Sequence, residues 1–155
     1  SKLVAVRYPR GAQRAIPESI KPTFADFDVF GDENAEKAII TYGRTFSACA
    51  FAYEKLVNSG ESVKLIKLNR IIPVCEGAVE AAKNCKDVYF FEEGIRRGGA
   101  GEGFLFDLSK AGFSGKYHLR AIENGFVKQA SVESLLHKYG FDEEGVLSFV
   151  TSAED

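Results

Sequence analysis

Short apolar runs alternate with amphipathic stretches of roughly ten residues through most of this chain, the rhythm of strands joined by helices. The clearest run is Ala38-Ile39-Ile40-Thr41-Tyr42-Gly43, continuous and apolar, which predicts a strand covered on both faces. Thr45 then stands where a helix cap belongs. The stripe Phe46, Cys49, Ala50, Tyr53, Leu56 and Val57 follows at steps of three and four residues, and Gly60 closes the helix. Further strands are predicted at Val63–Leu68, Asp87–Phe91 and Tyr117–Ile122, with a short edge strand at Phe27–Phe30. Helices fall at Glu76–Lys83, after the glycine-rich turn Gly98–Gly103, after Ser131 with the stripe Val132, Leu135, Leu136 and Tyr139, and after Asp142. Such alternation implies crossover connections and a mostly parallel sheet.

The amino-terminal stretch reads differently. Leu3–Tyr8 predicts a strand, but Pro9, Pro17 and Pro22 break the pattern up to about Thr23, as in a linker. A strand cut off by a linker is expected to belong to the sheet of a preceding domain. The chain holds no methionine, so Ser1 reads as the start of a fragment or a processed chain.

The 155 residues suffice for one domain with a substantial core. A net charge of -2 lacks the basic excess of a nucleic-acid binder, and no apolar run reaches the roughly 18 residues of a membrane span. With no signal-peptide pattern either, a cytoplasmic protein is expected. Cys49, Cys75 and Cys85 lack the spacing of a zinc site, and Cys49 sits in an apolar helical run.

Chemistry is sparse. Glu92-Glu93-Gly94 through Gly98-Gly99-Ala100-Gly101 joins a strand to a helix, where open α/β sheets place their ligand crevice. A dinucleotide reading fails because Phe104 stands where the third glycine belongs and Glu102 brings negative charge to the helix start. Close helix–sheet or subunit packing explains Gly98, Gly99 and Gly101 better. Glu92 and Glu93 are strand neighbours and point to opposite faces, which excludes a shared acid–base pair. At least one of them is expected to accept hydrogen bonds at a helix N-terminus or an interface. His118, in a strand, and His137, off its helix's apolar stripe, have no neighbouring nucleophile. Arg7 and Arg10 in Arg7-Tyr8-Pro9-Arg10-Gly11 read either as solvated linker arginines, which composition alone favours, or as an anion clamp, since guanidinium groups grip phosphate bidentately.

The ordered series Arg7-Tyr8-Pro9-Arg10-Gly11, Ile40-Thr41-Tyr42-Gly43, Leu68-Asn69-Arg70-Ile71-Ile72-Pro73, Phe91-Glu92-Glu93-Gly94 and Gly98-Gly99-Ala100-Gly101 resembles the C-terminal part of the 1-deoxy-D-xylulose-5-phosphate synthases, in the transketolase superfamily. Asn124-Gly125-Phe126 and the stretch to Tyr139-Gly140 resemble that family's tail. The resemblance implies a three-layer α/β domain with a mostly parallel five-stranded sheet and one antiparallel edge strand. It divides the chain into the end of a preceding pyrimidine-binding domain (1–10), a linker (11–25) and a transketolase C-terminal domain (26–155). It further implies a homodimeric enzyme using thiamine diphosphate and Mg²⁺, both held by upstream domains, with Arg10, and less directly Arg7, at the phosphate of a phosphorylated sugar substrate. The fragment alone would then carry no catalytic residue. Alternatives are the corresponding domain of a transketolase or a 2-oxoacid dehydrogenase beta subunit, or a stand-alone regulatory domain binding a small anion at the glycine loop. Departures point to a divergent branch. Asn69, followed by Arg70, replaces the family's strand-exit arginine, Pro73-Val74-Cys75 replaces its Pro-Leu-Asp, and Gln129 precedes Ala130 where the family has Gly.

Overall fold

A computed structural model of the chain describes residues 3–6, 12, 14–123 and 125–152. Strands β1 (Phe27–Phe30), β2 (Lys37–Tyr42), β3 (Val63–Leu68), β4 (Asp87–Ile95) and β5 (Lys116–Ile122) form one sheet in the order β1-β3-β2-β4-β5. Only the β1–β3 pair is antiparallel; the β2–β3, β2–β4 and β4–β5 pairs are parallel. Helices α1 (Phe46–Asn58), α2 (Glu76–Ala82), α3 (Ala100–Lys110), α4 (Val132–Tyr139) and α5 (Glu143–Ser152) cover the two faces. The mostly parallel sheet with one antiparallel edge strand is the architecture the alternation and the resemblance predict.

The period of two along each strand splits the core into two layers. Ile39, Leu65, Tyr89 and Phe91 pack with α1, α4 and α5. Ala38, Ile40, Ile66, Val88 and Phe90 pack with α2 and α3. Full burial of one large apolar side chain such as Ile39 or Phe91 contributes about 1.5–3 kcal/mol, so the central strands β2 and β4 anchor both layers.

Several local expectations need correction. Residues 3–6 of the expected Leu3–Tyr8 strand form no strand and are exposed, because no sheet edge of this domain reaches them. Thr45 does not cap α1. A 3-10 turn, Gly43–Thr45, intervenes, and the Thr45 hydroxyl turns inward to Tyr42 O at 2.8 Å and to the buried Thr41 hydroxyl at 2.6 Å. An interior hydroxyl without a partner would cost more than a cap contributes. Ser131, by contrast, does accept from the Ser134 amide at 3.2 Å. β4 continues four residues past the expected Phe91, and α3 already begins at Ala100 within the glycine-rich stretch.

The expected linker carries no strand or helix from residue 14 to 26, but it is fastened to the domain. Ser47 Oγ donates to Ala15 O, Ser19 Oγ to Glu54, Ile20 is buried against α1, and the Thr23 amide and hydroxyl both donate to Asp28. Asn69, the departure noted at the exit of β3, bridges the same region by donating to Ala25 O and Asp28 Oδ2. No helix among the described residues is long and apolar enough to cross a membrane.

Lys64 is the buried cation of this sheet. Its ammonium donates to Glu33 O at 2.6 Å and Ala81 O at 2.7 Å, tying the β1–β2 loop to the end of α2. Replacing Lys64 by Met strands both carbonyls. It is expected to cost about 1–3 kcal/mol, measured as a lower midpoint in urea; an unchanged midpoint would show that these carbonyls find water instead.

The α4–α5 corner contains a titrating pair. His137 Nδ1 lies 2.7 Å from Asp142 Oδ2, and this hydrogen bond, reinforced by the charge of Asp142, raises the imidazole above its ordinary value. Burial pushes the Asp142 carboxyl up, but hydrogen bonds from His137 and the Gly145 amide outweigh it and leave the carboxyl below its ordinary value. The stability contributed by His137 is therefore present below the unfolded histidine value of 6.5 and lost as pH rises through the elevated folded value. Proton NMR titration of the imidazole is expected to give a midpoint above 6.5 that falls back in Asp142→Asn; equal midpoints in both chains would rule the pair out.

Candidate functional site

The parallel strands all end at one edge of the sheet, where α/β proteins collect their functional groups. There β4 outruns its neighbour: β2 pairs as far as Thr41 with Phe91, while β4 continues to Ile95 with only β5 beside it. The next two residues, Glu92 and Glu93, emerge to opposite sides, as their alternation requires.

Glu92 turns to the α3 side and is fully buried. Its carboxylate accepts from the Ala100 amide at 3.0 Å, the Gly101 amide at 3.1 Å and the Tyr42 hydroxyl at 3.0 Å. It thus occupies the positive end of the α3 dipole, where an anionic ligand would otherwise bind. The glycines make that approach possible. A Cβ on Gly99 would sit 2.3 Å from Ile95 O and 2.5 Å from Glu92 Oε1, and one on Gly101 would sit 2.5 Å from Leu119 Cδ1. Gly98 lies at φ +76, and its amide donates to Glu102 at 2.7 Å. The loop is a helix–sheet clamp whose Gly98, Ala100 and Gly101 amides are already taken by carboxylates, which argues against the small-anion alternative. Burial, with the Glu92 charge, pushes the hydroxyls of Tyr42 and Tyr117 well above the ordinary phenol value, so both remain donors. Tyr117 donates to Gly101 O at 2.7 Å.

Glu93 turns the other way and receives a fork from Arg44, with Nε and Nη2 at 3.0–3.3 Å from its two oxygens. The pair borders a cavity of about 340 Å³ whose other walls include Ile122, Val127, Leu135, Leu136 and Phe141. Arg44 carried no signal in the sequence because it sits in a short turn outside any periodic element. Arg120, inside the expected strand Tyr117–Ile122, was missed because its partners Tyr139 and Phe149 lie far along the sequence. Its guanidinium lies 4.2 Å over the Phe149 ring and donates to Tyr139 O, binding the end of β5 to α4 and α5.

The remaining candidates are structural. His118 lies 2.9 Å from Asp87 and stacks on Tyr89 with ring centres 4.6 Å apart. His137 holds the α4–α5 corner. Burial pushes the Cys49 thiol up to about 12 and also raises Cys85, the opposite of a poised nucleophile. Among the described residues no group of three His, Cys, Asp or Glu side chains could hold a metal ion. Arg7 and Arg10 lie outside the described residues.

Glu92→Gln replaces a double acceptor by a group with one oxygen and an amino group that would face an α3 amide. The expected loss is about 1.5–3 kcal/mol for each charged hydrogen bond not recovered, read by chemical denaturation together with faster amide exchange at Ala100 and Gly101. Wild-type stability and exchange would mean that the clamp carries no load.

The chain is similar to the 1-deoxy-D-xylulose-5-phosphate synthases of Shouchella clausii (25% identity over 152 residues, 96% of this chain), Geobacillus thermodenitrificans (29% over 146 residues, 88%) and Bacteroides fragilis (28% over 153 residues, 95%). It spans about a quarter of each relative, 24%, 22% and 23% respectively. A split-gene transketolase, solved as an inactive beta4 tetramer, shares the fold with a TM-score of 0.74 at 20% identity, over 89% of this chain and 46% of its own. The model of the transketolase C-terminal domain matches residues 31–146, from the turn after β1 into α5, and the chain belongs to that family.

Proposed function

We propose that this chain is the closing domain of a thiamine-diphosphate-dependent 1-deoxy-D-xylulose-5-phosphate synthase. The parent reaction decarboxylates pyruvate and transfers the two-carbon unit to glyceraldehyde 3-phosphate, supplying isoprenoid precursors. One observation carries the reading: the motif series from Arg7 to Gly140 runs in order along a chain that aligns over 88–96% of its length with synthases of that name. The 20% identity with the split-gene transketolase speaks to fold alone, so the transketolase and 2-oxoacid dehydrogenase alternatives have less support.

Thiamine diphosphate and Mg²⁺ do not fit the described residues. The α3 amides that could meet a diphosphate are bonded to the Glu92 carboxylate, and no ligand cluster is available for the metal. In this reading both belong to preceding domains, the enzyme is a homodimer, and the domain contributes assembly and a phosphate anchor. Arg10 would hold the phosphate of the acceptor, with Arg7 beside it, because a guanidinium matches phosphate oxygens bidentately.

In the full polypeptide, Arg10→Ala is expected to raise KM for glyceraldehyde 3-phosphate and leave that for pyruvate near its original value. The loss in kcat/KM should be about 1.5–3 kcal/mol. Unchanged steady-state constants for the phosphorylated substrate would remove Arg10 from the site. Residues 1–155 alone are expected to show no turnover with either substrate.

A further inference from the structure

Both ends of the sheet carry ion pairs, with Arg44–Glu93, Arg70–Asp26 and Arg96–Glu123 at the carboxyl edge, but they differ in exposed apolar surface. At the amino edge, where β2, β3, β4 and β5 begin, charges close the surface: Lys37 pairs with Glu61 at 2.8 Å and Lys86 with Glu36 at 2.7 Å. The carboxyl edge gathers most of the exposed large apolar side chains described after the linker begins. Ile72 follows β3, Ile95 ends β4, and Phe126 and Val127 follow β5. Phe24 joins them because β1 is antiparallel, so that Phe27 pairs with Leu68 at the end of β3. These five side chains are 43–109% exposed. Elsewhere among the described residues after residue 6, Val29, Val57 and Phe106 make up the rest of this class, each on a different element. The apolar cavity beside Arg44 and Glu93 opens on the same edge and counts Val127 in its wall.

The incoming chain arrives there too. Ala15 is held by Ser47 at the start of α1, directly after β2 ends, and Thr23 is held by Asp28 on β1. Ahead of it, Leu3, Val4 and Val6 are 75–103% exposed. Apolar surface concentrated on one face, at the point where an apolar segment enters, is the pattern of an interface separated from its partner.

We infer that the carboxyl edge of the sheet, through Phe24, Ile72, Ile95, Phe126 and Val127, is the face on which the preceding part of its own polypeptide docks. The synthases it resembles have about three-quarters of their length outside the matched region, ample for such a body. The inference rests on the proposed function only in supposing that a preceding domain exists; it does not depend on the cofactor or substrate.

The test uses the full polypeptide in three forms: unchanged, Ile72→Glu with Phe126→Glu, and Phe106→Glu on α3 as a control. Trypsin cleavage after Arg14, which is followed by Ala15, and deuterium uptake at residues 69–72 and 125–127 report release of the domain. The double change is expected to speed cleavage by at least about tenfold, from the loss of two buried apolar contacts, and to raise uptake to that of residues 1–155 alone. Phe106→Glu should stay within about twofold, as a surface change does. Melting of residues 1–155 should be the same in all three forms, since the substituted side chains are exposed there. Cleavage and uptake unaltered by the double change would overturn the inference. So would concentration-dependent self-association of residues 1–155 that the double change abolishes, which would give the edge to a second copy. If the enzyme lacks synthase activity while the double change still frees the domain, docking stands and the synthase reading fails.

Discussion

The placement of one carboxylate determines how this domain is put together. Glu92 is buried where a charge is tolerable only if it is fully hydrogen-bonded, and α3 supplies the donors that make it so. The relation is reciprocal. The first turn of α3 has amides with no partner within the helix, and β4 must overrun β2 to bring the carboxylate to them. Gly99 and Gly101 are what let the two backbones come this close. The strand overrun, the glycines and the seating of α3 are thus one arrangement, and Tyr42 and Tyr117 lock it from both sides.

The same arrangement decides what the edge can do. A glycine-rich turn entering a helix ordinarily offers amides to phosphate; here an internal anion occupies those of Ala100 and Gly101, and the surface left over mixes exposed apolar side chains with the ion pairs Arg44–Glu93, Arg70–Asp26 and Arg96–Glu123. In the proposed reading the parent enzyme's chemistry belongs to elements outside this domain, and Arg10 is proposed to bind the phosphate.

Much of this was legible in the sequence because the central strands are buried on both faces. Ala38–Tyr42 and Val88–Phe91 are apolar without interruption and can be little else, and the opposite roles of Glu92 and Glu93 follow from the period of two. What stayed hidden depends on contacts far apart in sequence. Arg44 finds Glu93 49 residues away, and nothing in a turn announces such a partner. Lys64 looks like one of two solvent-facing lysines in Val63–Leu68, yet its stem carries the ammonium to carbonyls of a loop and a helix end. Thr45 obeys the capping rule by position and breaks it because the buried Thr41 hydroxyl competes for it. The gathering of Phe24 with Ile72 needs the antiparallel sense of β1, which a four-residue strand does not reveal.

The two core layers also close at different points along the polypeptide. The layer against α2 and α3 has its helices by Lys110, whereas the other draws Phe149 and Val150 from the final helix. On a ribosome, where domains assemble as the chain emerges, Tyr89 and Phe91 keep one side bare until α5 has emerged. A polypeptide cut off ahead of Glu143 would carry a sheet finished on one surface and sticky on the other, a substrate for chaperones and proteases.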